Sequence, residues 1–186
     1  MTCGLFARQI GGRWLTWANA LTSLRLVAAP LCALAILAAS PLAAVCLFAL
    51  AVATDVVDGR VARRRGEASP LGGLLDHASD ATFVSLGLAA LAWRGSVTLL
   101  LPVLIALAFL QYALDSLLRG GRSLRASWLG RGNGIAYFVL LGTPILRDAL
   151  EFSWPSSPLV QLFAWGLVAT TLASMLDRAL ARATAP

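Results

Sequence analysis

Long apolar runs, separated by short stretches of turn-forming residues, dominate this chain. Each run has about 20 residues, the length that an α-helix needs to cross the roughly 30 Å hydrocarbon core of a bilayer. The breaks fall at residues that favour turns, such as Ser40-Pro41, Arg94-Gly95 and Gly120-Gly121. The pattern therefore predicts an all-α bundle of six membrane-spanning helices, at approximately residues 18–39, 42–64, 69–92, 96–118, 131–150 and 158–178.

The segment before the first apolar run has a different pattern. Over residues 5–17, apolar and aromatic side chains fall near one face of a helix, and Arg8 and Arg13 lie between them. This arrangement is typical of an amphipathic helix that lies on the membrane surface. We therefore expect an interfacial helix at 1–17, followed by one helical membrane domain at 18–186.

The composition favours a membrane protein over one that binds nucleic acid. Hydrophobic residues make up 59% of the chain and charged residues only 13%, whereas soluble domains have about 25% charged residues. All fifteen basic residues are arginine, which excludes a lysine Schiff base or general base. The net charge is +6, but the arginines gather at the ends of the predicted spans. We therefore expect no nucleic-acid partner.

The arginines also predict an orientation. Twelve of them lie at the N-terminus, in the second and fourth connections and at the C-terminus, whereas the opposite side has only Arg94 and Arg147. Arginine is enriched on the cytoplasmic side of membrane proteins. Both termini and the second connection are therefore expected to face the cytoplasm, with the chain in the inner membrane.

Four aspartates fall within 26 positions, at the end of the second predicted span and the start of the third: Asp55, Asp58, Asp76 and Asp80. The members of each pair are three or four residues apart and share a helix face. Because the connection is short, we expect the two helices to be antiparallel neighbours with converging carboxylates. An unpaired aspartate costs about 3 kcal/mol at the bilayer centre. Carboxylate oxygens suit Mg²⁺ or Mn²⁺, so a metal site is predicted; pairing with the arginines at 60–65 is the alternative.

Small residues and one arginine accompany these acids. Gly59, Ala62, Gly72 and Gly73 have little or no side chain, which permits close approach of a ligand or a neighbouring helix. Arg63 lies one turn beyond Gly59 and has the planar donor geometry that binds phosphate. Together with the acids, these residues predict a site for a diphosphate.

The motif that these residues form is specific. The run Asp55-Val56-Val57-Asp58-Gly59-Arg60-Val61-Ala62-Arg63, followed after eight residues by Gly72, Asp76 and Asp80, resembles the defining motif of the CDP-alcohol phosphotransferases. All eight motif positions and every spacing match. The resemblance implies an enzyme that transfers a phosphate-linked group from a CDP-activated donor to an alcohol by direct displacement, with release of CMP. It also implies a homodimer.

The resemblance assigns roles to the aspartates. Asp55, Asp58 and Asp76 would ligate two divalent cations, either Mg²⁺ or Mn²⁺, and Asp80 would complete the second metal site. Asp80 would also act as the catalytic general base that takes the proton of the acceptor hydroxyl.

Residues for binding the donor come from the motif and from the first predicted span: Gly59, Ala62, Arg63, Gly72, Asn19 and Thr22. For Asn19, Thr22 and Arg25, hydrogen bonding between helices is an equally good interpretation. The run from Asn19 to Thr22, with Arg25 and Pro30, resembles the bacterial phosphatidyltransferase branch, which uses CDP-diacylglycerol.

The acceptor is less well specified. Ser127-Trp128-Leu129-Gly130-Arg131 resembles phosphatidylglycerophosphate synthases, which favours glycerol 3-phosphate, but the run from Asp76 to Ala81 departs from theirs. Inositol phosphate, serine and a lipid alcohol are the alternatives. A group of arginines is predicted to bind an anionic acceptor, with ordinary topological anchoring as an equal alternative: Arg119, Arg122, Arg125 and Arg131.

Other interpretations concern single residues and other classes of protein. His77 is better explained by packing than by catalysis, and Asp115 in the fourth span is a candidate for the same polar cavity. An ion-coupled transporter would use the aspartates as a cation relay across the membrane, whereas these acids cluster near one face. Intramembrane prenyltransferases are longer and have two separated aspartate motifs, and a silent scaffold would not need the intact motif.

Overall fold

The computed structural model describes the backbone of residues 17–65, 70–118 and 128–183, and side chains within 20–57, 72–116 and 129–181. Helices account for most of these residues: α1 Trp17–Leu37, α2 Pro41–Arg65, α3 Pro70–Trp93, α4 Leu100–Leu118, α5 Trp128–Ala149 and α6 Ser157–Ala183. The described ranges contain no strand, so the all-α prediction is confirmed for them. Every helix end lies within about five residues of its predicted position. The predicted interfacial helix lies outside the described residues, except for Trp17, which begins α1.

The predicted breaks form tight turns. Gly95 follows α3 with a φ of 77°, a left-handed conformation that glycine adopts without steric cost. The amide of Ser96 then donates a hydrogen bond to the carbonyl of Leu91 and closes the helix end. Ser40 and Pro41 separate α1 from α2 in the same manner, with Ala39 at a φ of 51°.

Two of the described helices contain segments long and apolar enough to cross a bilayer, Ala20–Leu37 in α1 and Ser157–Ala181 in α6. Shorter apolar segments occupy Pro41–Val57 and Leu100–Ser116. Large apolar side chains point outward from the bundle, for example Val27 and Leu34 on α1 and Leu176 on α6. Such a continuous apolar exterior is typical of a lipid-facing surface. The full set of six spans remains a prediction.

Helix α1 lies between α2 and α3 and packs against both. The expectation that α2 and α3 are direct neighbours is wrong, because these helices make few direct contacts in the described part of the chain. The reason is the small buried face of α1, which includes Ala28, Ala29, Cys32 and Ala35. Small side chains let helices approach closely in an apolar environment, so α1 fits in the space between its two successors.

The remaining helices complete the bundle around α3. Helix α4 packs on α3, α6 packs on α4 and α5, and α5 reaches back to α2 and α3. The rings of Phe83 and Phe138 stack with centroids 6.2 Å apart, and Phe48 lies 6.5 Å from each. A Cβ at Gly142 would lie 2.6 Å from the Phe48 ring, so any larger residue there would displace this ring.

The end of the bundle where α1, α3 and α5 finish has an ion-pair network of its own. Asp148 accepts from Arg147 at 2.9 Å and lies 3.9 Å from Arg94. Each arginine also donates to a backbone carbonyl, Arg94 to Ile36 and Arg147 to Pro155. We refer to Arg94, Arg147 and Asp148 as the distal network, because the motif aspartates lie at the other end of these helices.

Candidate metal centre and adjoining cavity

Three of the four motif aspartates come together in space. Asp55 near the end of α2, and Asp76 and Asp80 near the start of α3, each place one oxygen within 4.8 Å of the others. Asp76 and Asp80 meet because residues four apart share a helix face. The predicted convergence is confirmed for these three residues. The side chain of Asp58 lies outside the described set, although its backbone belongs to α2.

The guanidinium group of Arg25 joins the three carboxylates. Arg25 lies on α1 and is 0% exposed. Its Nη2 is 3.2 Å from Asp55 Oδ1, and its Nη1 is 3.0 Å from Asp76 Oδ1 and 2.5 Å from Asp80 Oδ1. Nη1 also donates to Ser79 Oγ at 2.9 Å. The convergence of α2 and α3 is thus mediated by a cation on the helix between them, and Arg25 bonds between helices.

The other predicted donor residues are described only in part. Thr22 is buried on α1, one turn before Arg25. Gly72 is half-buried in the first turn of α3. The backbones of Gly59, Ala62 and Arg63 continue α2 beyond Asp58. Side chains of Asn19 and of these α2 residues lie outside the described set, so their contact with the donor stays a prediction.

A cavity of about 340 Å³ opens beside the carboxylates. Asp55 and Asp80 form part of one wall, and residues of α4, α5 and α6 form the others. Its polar lining includes Arg131, Asn133 and Arg178, and its apolar lining includes Val84, Ile105, Phe109, Ile135 and Phe138. A cavity whose lining combines carboxylates, arginines and apolar side chains is suited to an anionic molecule that has an apolar part.

Of the predicted acceptor arginines, the structure describes Arg131 alone, and it lines this cavity. Arg119, Arg122 and Arg125 lie outside the described residues. The structure adds Arg178 to the lining of this cavity. From the sequence, this residue is expected only to help set the orientation of the protein in the membrane. Its guanidinium carbon lies 5.8 Å from the centre of the Tyr112 ring, a distance typical of a cation–π contact. The only sequence signal for Arg178 was a cation at the end of a long apolar span.

The sequence also gives interpretations for His77 and Asp115, which were considered for this polar region. His77 is 57% exposed, and its ring centre lies 5.5 Å from that of Tyr112. This contact agrees with the packing interpretation, although His77 also lines the cavity. Asp115 is buried on α4 and is absent from the described lining residues. Asn133 was missed by sequence reasoning; it is buried, and its Nδ2 has no hydrogen-bond partner among the described residues.

Comparison with known proteins decides the family. The family model described as CDP-alcohol phosphatidyltransferase matches residues 15–177, which is most of the chain. The chain belongs to the CDP-alcohol phosphatidyltransferase family. This family consists of membrane-associated transferases of substituted phosphate groups. The resemblance inferred from the motif is therefore confirmed, and it disfavours the transporter and prenyltransferase alternatives.

This CDP-alcohol phosphatidyltransferase is similar to a curated protein of Streptomyces coelicolor named cardiolipin synthase (CMP-forming). The two are 31% identical over 125 residues, which is 66% of this chain and 57% of the relative. The chain thus spans little more than half the length of that relative. No solved structure gives a significant match.

The donor set fits the divalent cations on which the family generally depends. Three carboxylates offer hard oxygen ligands from two helices, and Mg²⁺ and Mn²⁺ prefer such ligands. In each of these carboxylates, Oδ1 contacts Arg25, and Oδ2 is a second potential ligand atom for a metal ion. Asp55, Asp76 and Asp80 are therefore suitable ligands, and Asp58 would be the fourth.

Proposed function

We propose that this protein transfers a phosphatidyl group from CDP-diacylglycerol to the hydroxyl of a glycerol that carries a phosphate, with release of CMP. The main support is the juxtaposition of the acidic cluster with a cavity that has two arginines in its lining. This arrangement suits the attack of an acceptor hydroxyl on a phosphorus atom, because the arginines beside the carboxylates can hold the anionic part of the acceptor in place.

The bond changes are simple. The acceptor oxygen bonds to the phosphorus that bears the diacylglycerol, and the bond from this phosphorus to the oxygen of CMP breaks. Asp80 takes the proton of the acceptor hydroxyl, because its carboxylate lies both in the cluster and on the cavity wall. Asp55, Asp58 and Asp76 would hold the cations, and Asp80 would complete the second metal site. Two Mg²⁺ or Mn²⁺ ions, when bound there, would polarise the diphosphate and neutralise charge on departing CMP.

The arginines account for the choice of acceptor. Arg131 and Arg178 come from different helices and line the same cavity, so together they can bind a phosphate with several donors. Arg119, Arg122 and Arg125 remain proposed members of this site. Arg63, with Gly59, Ala62 and Gly72, remains the proposed contact of the CDP moiety.

Two acceptors share this chemistry. Glycerol 3-phosphate is the first candidate, from the sequence. Phosphatidylglycerol is the second, because the curated relative is named cardiolipin synthase and the cavity lining includes the apolar side chains of Ile105, Phe109 and Phe138. The same proposal includes six spans in the inner membrane, cytoplasmic termini and a homodimer.

The test supplies purified protein in mixed micelles with CDP-diacylglycerol and Mg²⁺ or Mn²⁺. Glycerol 3-phosphate, phosphatidylglycerol, inositol phosphate and serine are offered separately, CMP release is measured, and the lipid product is identified by mass. We expect rapid CMP release with one of the two glycerol phosphates and little with serine, which has no phosphate. Turnover with serine alone, or with no acceptor at all, would contradict the proposal.

A further inference from the structure

Arg25 has an unusual place in this protein. It is fully buried on α1, and its guanidinium lies against carboxylates of both α2 and α3. A buried charge is tolerated when it is paired and hydrogen-bonded. Nη1 has two hydrogens but three oxygen neighbours, on Asp76, Ser79 and Asp80. Nη1 therefore has more oxygen acceptors around it than it has hydrogens to donate.

The partners of Arg25 are the same groups that are proposed to hold metal. In each of Asp55, Asp76 and Asp80, the oxygen that contacts Arg25 is Oδ1. A guanidinium at this position neutralises part of the negative potential that attracts a divalent cation. It also contacts all three carboxylates at once, so it holds them together without any other cation.

Formal charges indicate what this arrangement achieves. Four motif aspartates and Arg25 sum to −3, counting −4 for the acids and +1 for the arginine. Two divalent cations would bring the sum to +1, whereas without Arg25 it would be zero. A loaded site with a surplus positive charge attracts an anionic diphosphate, and an empty site with a resident cation attracts metal less strongly.

We propose that Arg25 is a built-in counter-ion of the metal site. It keeps the carboxylates of α2 and α3 assembled before metal binds, and it lowers their affinity for divalent cations in the absence of nucleotide. Firm metal loading then requires the negative charge of the CDP-linked donor. This inference rests on the proposed metal site and concerns affinity rather than the chemical step.

The test measures binding of Mn²⁺ alone, by the loss of the electron paramagnetic resonance signal of the free ion, on purified protein without nucleotide. Arg25→Gln removes the charge and retains a hydrogen-bonding side chain. We expect Mn²⁺ to bind on the order of tenfold more tightly to this variant than to wild type. Its melting temperature should fall in EDTA and rise more on addition of Mn²⁺ than that of wild type.

Arg25→Lys is the second variant, and it decides the matter if the Gln variant does not fold. Lysine preserves the positive charge but lacks the planar guanidinium group of arginine. If Arg25 acts as a counter-ion, the Mn²⁺ affinity of this variant should therefore lie within about threefold of that of wild type. If the planar guanidinium instead orients the metal ligands, both variants should bind Mn²⁺ more weakly, because losing a group that hydrogen-bonds to metal ligands usually lowers metal affinity. Weaker binding in either variant by tenfold or more would overturn the proposal.

Arg147→Gln is the matched control, because Arg147 is an ion-paired arginine of the distal network. Its Mn²⁺ affinity should equal that of wild type. Adding CDP to wild type should tighten Mn²⁺ binding several-fold more than it does in Arg25→Gln, and an equal gain would contradict the proposed coupling. Turnover is no part of these measurements, so the two proposals succeed or fail separately.

Discussion

Two arginine–aspartate networks occupy opposite ends of this bundle, and their charge balance differs. At the metal site, one arginine meets three described carboxylates. In the distal network, Asp148 pairs with Arg147 and lies 3.9 Å from Arg94, and each arginine also donates one hydrogen bond to a backbone carbonyl. The first network has an excess of negative charge, whereas the second has two arginines for one aspartate and therefore an excess of positive charge. The difference indicates that the first needs additional cations and that the second ties loops together.

The largest effect is expected from removing the proposed base. Asp80→Asn should lower turnover by about 10² to 10⁴, because the amide cannot accept the hydroxyl proton. CMP release under saturating substrates measures this effect. Asp148→Asn in the distal network is the control and should retain turnover near that of wild type. Near-normal turnover in a folded Asp80→Asn protein would remove Asp80 from the chemical step.

The second-largest effect is expected from disturbing the aromatic packing between the two ends of the bundle. Gly142→Val should destabilise the protein by about 1–3 kcal/mol, because the added atoms would overlap the Phe48 ring. Thermal or denaturant unfolding measures the loss. Gly166→Ala is the control, since a Cβ there meets no atom within 4 Å, and it should be neutral or slightly stabilising. Equal stability of the two variants would show that the aromatic cluster adapts easily.

A smaller and more selective effect is expected at the cavity. Arg178→Gln should raise the KM for a phosphate-bearing acceptor about tenfold, the loss of one charge-assisted contact, and should leave the KM for CDP-diacylglycerol almost unchanged. Kinetics with each substrate varied in turn separate the two constants. Arg147→Gln should change neither. If the KM of the lipid donor rises instead, Arg178 belongs to the donor site.

The smallest effect is expected in the distal network itself. Arg94 and Asp148 are both partly exposed, and such ion pairs contribute about 0–1 kcal/mol. Arg94→Gln should therefore lower stability by at most this amount and leave CMP release intact. A loss of activity comparable with that of Asp80→Asn would show that the two ends are coupled and that the contrast drawn between them is wrong.

The sequence predicted the helices well because apolar runs and turn residues are local signals. Gly95, for example, marks the end of α3 through a backbone conformation that depends only on its neighbours. The motif spacing predicted that Asp76 and Asp80 share a face for a similar reason, since the helix repeat sets which residues lie together.

What the sequence did not predict depends on packing between distant segments. A short connection indicates which helices follow one another, but not that α1 lies between α2 and α3. The cavity joins Arg131 and Arg178 from separate helices, and an arginine at a span end has the same local pattern whether it binds substrate or lipid. Only the three-dimensional arrangement distinguishes the two roles.

The central position of α1 has a consequence for biogenesis. This helix is synthesised before α2 and α3, and an arginine within a span costs about 3 kcal/mol during insertion while it has no partner. Its acidic partners Asp76 and Asp80 are synthesised about fifty residues later on α3. We therefore expect α1 to remain in contact with the translocation machinery until α3 has emerged, so that the three helices enter the lipid as one unit.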